Sequence, residues 1–169
     1  MSHAKNKVDW CLRKAEKELK ESENHRGLIK VKPNLKKSKE YIEKAEHYLK
    51  ATDYLKKGNF SDISASTVFY AMYHCLLALG VKFGYESRNQ ECTFALIYNL
   101  IEEDRINFDK KLLDKISSLD VDESGEKTTI EIREQYQYGT SLSLKDNLYK
   151  ELFELAKEII SKTKEIIEE

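Results

Sequence analysis

The sequence predicts an all-α protein: an up-and-down antiparallel helical bundle of four to five core helices plus short extra helices. Three observations predict it. The 169 residues include one proline and six glycines, so long stretches run free of the main helix breakers. Charged residues, 35% of the chain, are interspersed with 40% hydrophobic residues, enough to build a core and too many for a disordered chain. Apolar residues also recur at helical spacing along most of the sequence. The length suits a single domain over residues 1–169.

Val8, Leu12, Ala15 and Leu19, spaced four, three and four, predict a first helix over about residues 3–23. Residues 24–32 are polar with Gly27 and read as a connection, and Pro33 suits a first helical turn. Tyr41, Ala45, Tyr48, Thr52 and Leu55 stripe a second helix, closed by Gly58-Asn59. Ser61 or Asp62 can cap the third. Its body, ISASTVFYAMYHCLLAL from Ile63 to Leu79, is apolar or small on nearly every face, which places it at the centre of the bundle; Gly80 and Gly84 end it. A fourth helix reads over 91–103 and a fifth over 109–119, followed by a loop, DVDESGEK, at 120–127. A short helix over 128–138 ends at Gly139. Leu148, Leu152, Leu155, Ile159 and Ile166 stripe a long final helix, interrupted by Lys162.

The net charge of −1 hides an asymmetry: residues 1–57 sum to +7 and the remaining 112 to −8. A basic section of this kind meets either a phosphate backbone or an acidic partner, or else pairs with the acidic remainder of its own chain, the reading the sequence favours. Cys11, Cys75 and Cys92 match no metal or redox spacing and read as free thiols, which suit a reducing cytosol. The N-terminus has no apolar core of a signal peptide, so a cytoplasmic location without membrane contact is expected.

Glycine-rich phosphate loops, HExxH and GxSxG are absent, and no metal or cofactor is implied. His3 and His25 read as solvated. His74 lies inside the central helix one turn after Tyr70 and reads first as a buried neutral imidazole, second as a catalytic group. Ser87, Arg88 and Asn89 precede the fourth helix, where Ser87 or Asn89 makes an N-cap and the helix terminus can hold an anion. Arg133, Tyr136 and Tyr138 cluster on the short sixth helix. Arg133 reads either as a phosphate contact or as a structural arginine paired to Glu131 or a loop carboxylate, and the residues by themselves favour the structural reading.

FYAMYHCLLALG and IREQYQYGT, in that order and at that separation, resemble two stretches of the HEPN family, over roughly residues 36–168. The resemblance leaves residues 1–32 as an N-terminal helical extension. It implies a bundle, usually a homodimer, often paired with a nucleotidyltransferase in a toxin–antitoxin system. Nuclease members carry an arginine and, four to six residues later, a histidine, which cleave RNA without metal. Arg133 matches that arginine, but Tyr138 stands where the histidine would fall. Arg88-Asn89 begins like the other form of the motif, with Thr93 at the histidine position. Tyrosine is a poor proton shuttle near neutral pH. Thr140 occupies the position of a tyrosine that is modified in some members.

Three functions follow. The preferred one is a non-catalytic module that binds nucleotide, RNA or a nucleotidyltransferase through Arg133, Tyr136 and Tyr138, with His74, Arg88 and Asn89 as further candidates. The second is a metal-independent ribonuclease toxin with an atypical site, drawing Arg133, Tyr138 and His74 from two subunits. The third is a helical scaffold for protein interaction.

Overall fold

A computed structural model describes residues 1–117 and 126–169. Seven helices and one two-stranded ribbon occur among them, in the order α1 (His3–Glu21), β1 (Leu28–Lys30), α2 (Leu35–Lys57), α3 (Ser61–Lys82), β2 (Tyr85–Ser87), α4 (Gln90–Glu102), α5 (Lys110–Ile116), α6 (Thr129–Tyr138) and α7 (Asp146–Glu168). The all-α bundle is as the sequence predicts. Most of the expected loop over 120–127 lies outside the described residues, as do the last positions expected of the fifth helix.

α3 is the central helix. Phe69, Met72, Leu76 and Leu79 are fully buried along it, each contributing roughly 1.5–3 kcal/mol by leaving water. By length and composition α3 could cross a membrane (mean hydropathy 1.3), but 67% of that stretch is buried by its neighbours here. The turn Gly58-Asn59-Phe60 folds α2 back on α3, with Asn59 taking a positive φ of 63°. Side chains then fix the antiparallel register. Ser38 Oγ donates to the Ala78 carbonyl (2.7 Å), and the Thr52 and Thr67 hydroxyls meet at 2.8 Å. α7 closes the group, running antiparallel to α2 and so parallel to α3. Lys56 pairs with Asp146 at one end, while Glu46 meets Lys164 and Lys82 donates to the Ile166 carbonyl at the other. The parallel pair is possible because α4, α5 and α6 intervene in the chain and return it to the same end.

Local details depart from the sequence reading. Phe60, not Ser61 or Asp62, precedes α3, and no side chain caps it. The Ser61 hydroxyl instead accepts a hydrogen bond from the Leu144 amide (2.9 Å), anchoring the segment before α7. α3 runs through Gly80, which lies against Leu96, and the break comes at Gly84, whose φ of +82° favours glycine.

The N-terminal segment differs most from expectation. α1 buries a narrow face of Ala4, Val8, Cys11 and Ala15, with α4 and β1 as its main neighbours. This brings Cys11 beside Cys92 of α4, and the two form a disulfide with Cα atoms 5.9 Å apart. The expectation of three free thiols is thereby corrected. Sequence spacing cannot reveal a pairing across 81 residues, because the docking of two helices creates it. Cysteine usage no longer points to a reducing cytosol. Cys75 alone is free; it is fully buried in α3, and burial pushes its thiol up to about 12.

Residues 24–32 are more than a connection. Leu28, Ile29 and Lys30 pair antiparallel with Ser87, Glu86 and Tyr85. Gly27 sits so tightly on α1 that a Cβ there would meet the Cys11 carbonyl at 2.5 Å. His25, expected to be solvated, is 4% exposed. Its Nδ1 accepts from the Gly27 amide (3.3 Å), and Nε2 lies 4.0 Å from the Glu86 carboxylate. The imidazole is thus buried beside the ribbon, next to Gly27 and Glu86.

Candidate functional site

α6 starts with a capping box, in which the Thr128 hydroxyl and the Glu131 carboxylate bond each other's backbone amides. Thr129 Oγ1 also donates to the Lys115 carbonyl (3.0 Å). With the helix held this way, Thr129, Ile132 and Arg133 form its buried face, turned toward α3. Arg133 is 9% exposed, and its guanidinium lies over the Phe69 ring at 4.5 Å from the centroid. This is a cation–π contact in a largely dry setting, where such contacts are strongest. Phe69 in turn stacks on Tyr73 (5.8 Å) and meets Tyr70 edge-on (5.3 Å).

The cation is only partly satisfied. Its carboxylate partner is Glu134 at 3.6 Å, not Glu131, which is occupied by the cap. Nε is buried with no hydrogen-bond partner among the described residues. A guanidinium can hold an oxyanion such as phosphate through two parallel N–H bonds.

The other nominated residues divide. Tyr136 is half-buried and packs against the core beside Arg133. Tyr138 is 79% exposed: five positions beyond Arg133 on a helix, it points about 140° away. His74 likewise lies five positions beyond Phe69 and therefore on another face of α3. There it stacks on Tyr48 (5.1 Å between centroids), with Tyr41 at 6.1 Å. Its Nδ1 is 2.7 Å from the Tyr70 carbonyl. Burial lowers the His74 pKa, with Lys44 adding to the effect and the Tyr70 hydrogen bond opposing it. Within one chain, then, Arg133, Tyr138 and His74 are not brought together.

Arg88 and Asn89 belong to a separate place, the ribbon end of α4. Arg88 pairs with Glu86 (3.1 Å) and reaches Asn24 (3.4 Å), while the Asn89 side chain accepts from the Cys92 amide and caps α4. Thr93 bonds Ser87 and Tyr73, so that end is internally satisfied. Among the described residues, no three His, Cys, Asp or Glu side chains converge as metal ligands. The sequence reading did not single out Phe69, the plate beneath Arg133; its signals were its place in the most apolar helix and at the head of the FYAMYHCLLALG stretch.

Fold and site together define a helical-bundle domain with a basic residue buried on the helix before the last. The family model for the HEPN domain matches residues 38–168, and the chain belongs to that family. α1 and β1 lie outside the matched segment. No curated protein matches the chain.

Proposed function

We propose that this HEPN protein binds a phosphate-bearing ligand, nucleotide or RNA, at Arg133 without cutting it, and that it acts as a homodimer alongside a nucleotidyltransferase-type partner. The observation that carries the reading is the Arg133 guanidinium, buried on Phe69 with a free Nε and no imidazole beside it in the same chain. An arginine alone can hold a phosphate; general acid–base cleavage needs a group that exchanges protons near neutral pH.

Exposed apolar side chains support the assembly part of the reading. Tyr54, Phe60 and Ile63 at the α2–α3 turn, and Leu142 before α7, are 47–81% exposed. The Ser61–Leu144 bond holds these two segments at the same end of the bundle. A protein partner seated at that end would take these side chains out of water.

The test uses purified protein of known native mass with a short RNA, in the absence of metal. Binding without cleavage is expected, weakened about tenfold or more by Arg133→Ala and unchanged by Tyr138→Phe. Cleavage by the wild type that Arg133→Ala abolishes would replace this reading with the ribonuclease.

A further inference from the structure

The outward face of α1 carries a second and separate surface. Along it His3, Asn6, Trp10, Arg13 and Lys17 follow one another at spacings of three and four, and all are exposed. Trp10, the only tryptophan of the chain, is 46% exposed although α1 buries its opposite face completely. The indole therefore contributes little to docking the helix. Lys7 and Lys14, one turn before and after it, hold their ammonium groups 4.6 and 5.3 Å from the ring centroid. His3, Asn6, Lys7 and Trp10 line an open depression at the start of the helix.

From His3 to Lys17 this face contains no carboxylate, in a chain with 30 of them; the exposed Glu21 stands on it one turn beyond Lys17, at the C-terminal end of the helix. Three acidic groups nearby are engaged: Asp9 with Lys5 (3.0 Å), Glu91 with Lys7 (2.7 Å), and Glu16 with Lys20 (3.1 Å). Arg13, Lys14 and Lys17 have no ion pair among the described residues. The face thus has one aromatic plate followed by Arg13, Lys14 and Lys17, spread over about 10 Å from Trp10 to Lys17 at the helical rise of 1.5 Å per residue, with Glu91 the acidic group near Lys14. Single-stranded nucleic acid has the complementary chemistry: a flat base that stacks on the indole, and phosphates spaced along a backbone that cations can follow.

We infer that the Trp10 face of α1 binds single-stranded nucleic acid, one base stacking on the indole and the flanking phosphates meeting Arg13, Lys14 and Lys17. This surface lies outside the family-matched segment and does not depend on Arg133.

Because Trp10 is the sole tryptophan, it reports its own occupancy. Full-length, oxidised protein is titrated with a 12-nucleotide oligouridylate at low salt. The indole emission is expected to fall saturably, and to recover on adding salt. By fluorescence anisotropy of a labelled oligonucleotide, in an Arg133→Ala background that removes the other site, Trp10→Ala and the double change Arg13→Ala/Lys17→Ala should each weaken binding about tenfold, and Trp10→Phe less. Arg133→Ala should leave the indole response intact, which separates this surface from the Arg133 site. Unchanged indole emission at saturating oligonucleotide overturns the inference. So does equal binding by Trp10→Ala. A blue shift with phosphatidylserine vesicles but no response to oligonucleotide would assign the face to anionic lipid instead.

Discussion

The α2–α3–α7 core and the N-terminal segment are both ordered parts of the chain, yet they are held by different means. In the core, large side chains such as Phe69, Met72, Leu76 and Ile159 fill the space between long helices. In the segment, α1 offers only Ala4, Val8, Cys11 and Ala15, and fixation comes from the Cys11–Cys92 bond, the Lys7–Glu91 ion pair and a ribbon of three residues per strand. Apolar burial scales with area, so a narrow face of small residues gains little from it. The difference teaches that an appended helix can be fastened locally without enlarging the core.

That contrast can be tested by breaking each kind of fastening. The largest loss should come from Phe69→Ala, about 3–5 kcal/mol by urea denaturation, because it empties the centre of α3 and removes the plate beneath Arg133. Cys11→Ser should cost about 2–4 kcal/mol, with hydrogen exchange rising in α1 and β1 while the α3 amides stay protected. Equal loss of protection in α3 would mean that the two regions unfold as one unit. Gly27→Ala should cost about 1–3 kcal/mol, since its Cβ would press on the Cys11 carbonyl, with its effect also confined to the N-terminal segment.

The smallest effect concerns His74. Burial holds its folded pKa below the usual 6.5, so the unfolded chain takes up the proton more readily. The contribution of the neutral imidazole is complete above about pH 6.5 and is lost as the pH falls below that value. The urea midpoint should therefore drop between pH 7 and pH 5 in the wild type and drop less in His74→Gln.

The core helices were legible because their apolar positions repeat at helical spacing over four or more turns, as in the Tyr41-to-Leu55 stripe of α2. The ribbon was not, because three residues per strand are too few to show an alternating pattern. Neither the Cys11–Cys92 pair nor the burial of His25 has any local signal; both arise where α1 and the ribbon dock. Arg133 could be picked out from residue type and position, but its place over Phe69 depends on how α6 packs on α3. Tyr136, three positions from Arg133, and Tyr138, at the position of the family's histidine, were both candidates in the sequence, and the turn of the helix separates them, one half-buried and one exposed.

The Cys11–Cys92 bond also changes the connectivity of the chain. It closes a covalent ring that threads β1, α2, α3 and β2, and the exposed Phe60 turn lies inside that ring. A protease that cuts at this turn opens the ring without dividing the molecule. The two pieces stay joined through α1 and α4, and they separate on a gel only after a thiol reductant is added.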